Sequence, residues 1–214
     1  MAYDLEEQEQ LASIKAWWQQ YGNMVMLAAT AALLTIAAYQ GWRYYRGTQT
    51  MSALSLYEQF ERAQRGGEQK KAIDIAAQIV SRYGATPYAV MAALTSARLA
   101  VAGGDLAGAK TQLKWVMENA RDEDTRDLAR LRLAGVLLDE KTYPEALALV
   151  ETKAGDSLAG LYAELKGDIL VAQGKAAEAR NAYQLALDKS EGGSTYRATV
   201  QLKMDALGEP VSKQ

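Results

Sequence analysis

Four times along this chain a turn residue stands five positions before an alanine: Gly67 and Ala72, Gly104 and Ala109, Lys141 and Ala146, Gly174 and Ala179. The alanines are 37, 37 and 33 residues apart, in the contexts GGEQKKA, GGDLAGA, EKTYPEA and QGKAAEA. Each context is entered from an apolar helical pattern and followed by another. A unit of two helices and a tight reversal cannot bury its apolar faces alone, so such units must stack on one another.

The period and the small landmark residue resemble those of tetratricopeptide-type repeats, in which an alanine lets the second helix approach the first closely. Twelve positions before each alanine, where such repeats prefer a small residue, stand Phe60, Ala97, Ala134 and Gly167; three of the four fit. Pro144 opens a second helix, where its missing N–H is no loss. The predicted helices run 5–20, 21–65, 68–83, 87–102, 105–120, 124–139, 143–152, 157–172, 175–190 and 195–207, with no convincing strand. The expected fold is therefore all-α: an N-terminal transmembrane helix, a solenoid of about four helical hairpins, and a last helix that caps the stack.

The span is predicted from the absence of charge between Lys15 and Arg43. A membrane helix needs about 20 mostly apolar residues, and Tyr21 to Trp42 supplies that length. Trp17, Trp18 and Tyr21 flank it on one side and Tyr39, Trp42, Tyr44 and Tyr45 on the other, as suits amphipathic rings at headgroup depth. A buried core helix would not carry aromatic clusters at both ends. A cleaved signal peptide would begin with a short basic segment, whereas this leader holds Asp4, Glu6, Glu7 and Glu9 against a single Lys15. The expected organisation is an acidic, amphipathic segment 1–20, a span 21–42, a juxtamembrane helix 43–65 that is the first helix of the solenoid, repeats 66–207, and a flexible tail 208–214.

The chain has neither His nor Cys. That removes Cys/His zinc sites, thiol nucleophiles, Ser-His-Asp triads and imidazole bases together. A net charge of -2 without any basic run provides no footprint for nucleic acid. Gly103-Gly104 reads as a repeat turn, since it follows no strand and Asp105 would repel an anion. Glu164 with Asp168, and Asp122 with Glu123 and Asp124, are paired carboxylates on helix faces or first turns; an enzyme using Glu164 and Asp168 is the reading they would support. Arg126 and Arg130 could clamp a carboxylate terminus, or simply pair with Asp122 and Asp127 along one helix. Neither catalytic residues, nor a metal, nor a cofactor are expected.

Two residue sets remain as candidate surfaces. Eighteen and fifteen positions before the alanines lie Leu54 and Tyr57, Met91 and Leu94, Leu128 and Leu131, then Leu161 and Glu164. Exposed along the inner curve of a solenoid, the apolar members would form a partner groove; packed against neighbouring helices, they would be core. Within the span, Ala28, Ala31, Ala32, Thr35 and Ala38 make a face of small residues of the kind through which membrane helices dock.

The chain also resembles a known family, the ancillary SecYEG translocon subunits. The likeness lies in the acidic leader with Tyr3, Glu6 and Glu7, the Lys15 to Trp18 segment before Tyr21-Gly22, and Gly41-Trp42-Arg43-Tyr44-Tyr45 running into Ser52 to Tyr57. It covers nearly the whole chain. The resemblance implies a single-pass bacterial inner-membrane protein, N-terminus cytoplasmic and repeats periplasmic. Its implied partners are membrane lipid, the SecYEG translocon, a membrane-anchored periplasmic chaperone of the prolyl-isomerase type, and exported client proteins. It implies no catalytic residue. Local charge points the other way, because Arg43, Arg46 and Arg62 follow the span and only Lys15 precedes it. Long domains translocate largely regardless of such counts. The alternative is the same tethered scaffold facing the cytoplasm, in an assembly or division complex.

Overall fold

The computed structural model describes residues 2–189 and 193–208, with side chains from residue 10 onward. Among them are nine helices and no strand: α1 Ala2–Arg65, α2 Gln69–Tyr83, α3 Pro87–Ala102, α4 Leu106–Asn119, α5 Glu123–Asp139, α6 Tyr143–Val150, α7 Ala159–Ala172, α8 Ala176–Lys189 and α9 Ser194–Asp205. The chain divides into two units, residues 1–51 and 52–214; the described part of the expected 208–214 tail is Gly208 alone.

In the first unit the helix is unbroken at the expected 20/21 boundary. Gly22 does not interrupt it, because the Trp18 indole one turn earlier lies over it, 3.3 Å from where a Cβ would stand. Tyr21 to Trp42 covers about 31 Å at helical rise, and α1 is the helix among the described residues that is long and apolar enough to cross a membrane. The Thr30 and Thr35 hydroxyls donate to the Met26 and Ala31 carbonyls, both at 2.8 Å, which satisfies them within the helix itself. Trp17 and Tyr21 pack at a tilt of 41° with ring centroids 5.7 Å apart, and the Arg46 guanidinium sits 4.3 Å from the centre of the Trp42 ring.

In the second unit the four landmark turns share one backbone device. Gly67, Gly104, Lys141 and Gly174 all have positive φ, between 61° and 80°. The residue after each donates its N–H five positions back: Glu68 to Ala63, Asp105 to Ala100, Thr142 to Leu137 and Lys175 to Leu170, at 2.8 to 2.9 Å. Each turn residue itself donates three positions back, so every first helix ends in a Schellman motif. The landmark alanine then makes the opening bond of the second helix, to the carbonyl four residues earlier. Glycine is favoured at such a φ because it has no Cβ to clash; Lys141 alone of the four adopts it with a side chain.

Ala72, Ala109, Ala146 and Ala179 are completely buried, as are Phe60 and Ala134, with Ala97 nearly so. All but Ala109 belong to three successive cores. The first joins Phe60, Ala72, Ile75, Ile79 and Ala89. The second centres on Leu113, Val116, Leu133, Leu137 and Ile169. The third joins Leu170, Tyr183, Leu187 and Val200, the last from the capping helix α9. Trp115 touches both the first and the second, welding adjacent repeats.

Polar contacts tie the repeats where apolar ones do not reach. Lys110 pairs with Glu140 at 2.6 Å, and Arg121 donates to the Ala85 carbonyl at 3.0 Å. Asp122 caps α5 by accepting from Thr125, whose hydrogen bonds hold the Asp122 carboxyl below the usual carboxylate range. α6 is shorter than predicted, ending at Val150 rather than 152, and α7 starts at Ala159. The cause is Asp127, 1% exposed, whose carboxylate accepts the Gly155 N–H at 2.9 Å and holds that link in a non-helical path.

Candidate functional site

The first helices of the repeats carry the candidate surface, and their helical periodicity splits it into two rows with different fates. Tyr57, Leu94 and Leu131 are half-buried. Tyr57 packs on the first core, its ring 5.5 Å from those of Phe60 and Tyr88, while Leu94 and Leu131 pack on the second. Burial, then the nearby Glu61 carboxylate, pushes the Tyr57 hydroxyl above its ordinary value. This row therefore braces the core beneath the surface.

The other row lies further out. Met91 is 46% exposed and Leu161 38% exposed. Leu54 and Leu128 are half-buried, and none of the four belongs to the three cores. Beside Met91 a cavity of about 280 Å³ opens between the α2–α3 and α4–α5 turns, with Thr86, Pro87 and Val90 on one side and Asn119, Arg121, Asp122 and Thr125 on the other. That is room for one large side chain. The cavity involves residues 36 or so apart in sequence, and only the repeat register could have indicated it.

The fourth repeat breaks the apolar pattern. Glu164 stands where Tyr57, Leu94 and Leu131 stand in the others, and α9 answers it. Lys203 Nζ lies 2.7 Å from Glu164 and 2.8 Å from Asp168, and the Tyr183 hydroxyl donates to Asp168 at 2.8 Å. The Tyr196 hydroxyl is buried beside them without a hydrogen-bond partner among the described residues. Burial foremost, then the two carboxylates, pushes both tyrosines well above their ordinary range. Glu164 and Asp168, the pair weighed as catalytic carboxylates, are thus engaged in fastening the capping helix.

Arg126 and Arg130 do not form a clamp. Arg130 is bound to Asp127, and Arg126 donates to the Ala120 carbonyl at 3.3 Å. The i,i+3 spacing indicates the Asp127–Arg130 pair; nothing in it indicates that Asp127 is buried or that the Tyr162 hydroxyl reaches the Asp127 carbonyl at 2.8 Å. In the first unit Ala28, Ala31, Ala32, Thr35 and Ala38 are all exposed along one side of α1, so the small-residue face is open for close approach.

Comparison with known proteins agrees with this architecture. The family model described as a tetratricopeptide repeat-like domain matches residues 15–209. Among solved structures, the chain is similar to MamA from Desulfovibrio magneticus RS-1, with a TM-score of 0.53 and 17% identity over 72% of this chain and 92% of that one. It is likewise similar to a kinesin light chain-derived protein with TPR-like repeats from Podosopora anserina, with a TM-score of 0.54, 17% identity and coverage of 72% and 83%. Those likenesses concern the fold. Among curated proteins, the ancillary SecYEG translocon subunit of Neisseria gonorrhoeae is 32% identical over 97% of this chain and all of that protein. The subunit of the same name from Escherichia coli is 27% identical over 94% of this chain and 96% of its own length. With its landmark turns, its long apolar helix and this near full-length identity, the chain belongs to the family of ancillary SecYEG translocon subunits, built on tetratricopeptide-like repeats.

Proposed function

We propose that this protein is a membrane-anchored adaptor that accompanies the SecYEG translocon and presents its repeats to a periplasmic chaperone and to exported proteins. In this reading residues 21–42 cross the bacterial inner membrane, the N-terminus is cytoplasmic and the repeats are periplasmic. The small-residue face Ala28, Ala31, Ala32, Thr35 and Ala38 docks on a translocon helix within the lipid. The row Leu54, Met91, Leu128 and Leu161 takes an apolar segment of the chaperone, which is of the membrane-anchored prolyl-isomerase type, or of a client. No reaction is performed.

One observation supports the adaptor role above others: the row through Met91 and Leu161 stays outside all three cores, with both side chains exposed. Repeat stacks act through such extended faces. The relatives' shared name supports the translocon as the associated machine.

Photo-crosslinkers placed at Ala32, Met91 and Leu161 in native membranes test the reading. Translocon subunits captured from Ala32, with a chaperone or exported chain captured from Met91 and Leu161, are the expected result. Capture of only cytoplasmic proteins from the repeats would overturn it. The three arginines after the span favour the opposite orientation. A phosphatase reporter fused after Gln214 decides: activity places the repeats outside the cytoplasm, and silence places the scaffold in a cytoplasmic complex.

A further inference from the structure

No Asp or Glu occurs between Glu9 and Glu58, and the positive charges in that interval are Lys15, Arg43 and Arg46. Lys15 stands six residues from the acidic leader. The two arginines stand together at the other end of the span, with Glu58 the nearest acid along the chain, twelve residues past Arg46. Neither is ion-paired among the described residues.

Tyr39, Trp42, Arg43 and Arg46 stand at i, i+3, i+4 and i+7, which is one face of a helix. The Tyr39 and Trp42 ring centroids are 6.3 Å apart, and the Trp42 ring carries the Arg46 guanidinium. A guanidinium held on a ring face keeps its N–H edge for an anion. Arg43 and Arg46 lie about 1.5 and 6 Å beyond Trp42 along the axis, inside the headgroup layer of about 5–8 Å that borders the hydrocarbon. Toward the hydrocarbon a groove of about 730 Å³ continues the site, lined by Thr35, Ile36, Tyr39, Gln40, Arg43 and Tyr44. The Thr35 hydroxyl already donates to Ala31, so the deep end of the groove makes no polar demand. At 3.6 residues per turn, Ile36 and Gln40 fall to one side of the small-residue face; the groove runs beside that face and meets it at Thr35.

Resting on the reading that residues 21–42 cross the membrane, we propose that this end of the span holds one anionic phospholipid. Its phosphate accepts from the Arg43 and Arg46 guanidiniums, its glycerol lies against the Tyr39 and Trp42 rings, and one acyl chain follows the groove down to Ile36. The charge balance selects the lipid. A zwitterionic headgroup brings its own ammonium to its phosphate, whereas two arginines without a carboxylate match a phosphate whose charge is still unmet. A carboxylate of a neighbouring protein would satisfy the arginines but leave the groove below them unfilled.

The test uses the full-length protein with Trp17→Phe and Trp18→Phe, so that Trp42 is the tryptophan left in the aromatic belts. It is placed in phosphatidylcholine nanodiscs with rising fractions of acyl-brominated phosphatidylglycerol or acyl-brominated phosphatidylcholine. Brominated phosphatidylglycerol quenches Trp42 at about one tenth of the fraction that brominated phosphatidylcholine needs, the order expected when two arginines each favour an anionic headgroup. Arg43→Gln with Arg46→Gln brings both lipids onto one curve, with circular dichroism unchanged. Arg43→Lys with Arg46→Lys keeps part of the preference, which raised salt then removes.

Coincident curves in the unaltered arginine background, with the protein retained in native membranes against alkaline carbonate, overturn the lipid site while the span stands. Release by carbonate overturns the span and the site together. A preference that survives in the glutamine double variant places the lipid elsewhere on the helix, and loss of quenching on adding equimolar SecYEG assigns the arginines to a protein neighbour; either result overturns the proposal.

Discussion

Tyr183 lays its ring directly on Gly167, so that any Cβ at position 167 would overlap ring carbons. The same side chain reaches on to Asp168 with its hydroxyl. The glycine in the middle of α7 therefore serves the contact, since glycine in a helix interior is otherwise destabilising. Gly167→Ala is expected to cost about 1–3 kcal/mol through overpacking despite the better helix propensity of alanine. Tyr183→Leu in the same chain should recover part of that loss. Thermal unfolding of the single and double variants checks both expectations; additive losses would contradict the contact.

Lys141 holds φ at 61° in a position where the other three repeats use glycine. The left-handed conformation costs a side-chain-bearing residue about 1–2 kcal/mol, and glycine loses about 0.5–1 kcal/mol more chain entropy on folding. Lys141→Gly should consequently stabilise the stack by up to about 1 kcal/mol. Lys141→Val should destabilise it, because branching worsens the same strain. Denaturant midpoints for the two variants should move in opposite directions.

Asp127 is buried with one carboxylate oxygen on Arg130 and the other on the Gly155 N–H. Truncation to alanine strands a half-buried guanidinium and an amide together. We expect Asp127→Ala to cost about 3 kcal/mol, in the range for breaking a buried pair on one side. The loss should be local first: hydrogen exchange should accelerate at Gly155 and in the link between α6 and α7 before it does in α2 and α3.

The tie between α9 and α7 predicts alkaline sensitivity. Burial lowers the Lys203 ammonium's proton affinity, but the hydrogen bonds it donates to Asp168 and Glu164 outweigh it and raise the net value above 10.5. Stability from this pairing is full below 10.5 and is lost as pH climbs through the raised value. Tyr183 and Tyr196 act in the same sense, because the folded state keeps protons that the unfolded state releases from pH 10.0 upward. The capping helix should loosen above about pH 10, ahead of the first two repeats. Tyrosinate absorbance followed alongside exchange at Val200 measures it; Lys203→Met should flatten part of the response.

The repeat was legible because its signals are local. A glycine followed five residues later by alanine encodes a positive φ, a Schellman bond and a close helix contact, and all three appear at 67, 104 and 174. At 141 the register alone carried the inference, against the preference of lysine. The outer and inner rows of the first helices were not separable in advance, since Met91 and Leu94 are equally apolar; the difference comes from which neighbour fills the space behind each. The burial of Asp127 and the reach of Lys203 to Glu164 were illegible for a related reason. They join residues 28 and 39 positions apart, through geometry that exists only once the stack has formed.

The polar fastening of α9 also has a bearing on length. Where Glu164 replaces the tyrosine and leucines that brace the core in the earlier repeats, Lys203 of α9 holds it instead. A further hairpin could stack on α8 only by displacing α9, breaking three ionic contacts and uncovering the core that Val200 helps to close. Charge thus terminates what apolar packing alone would let grow.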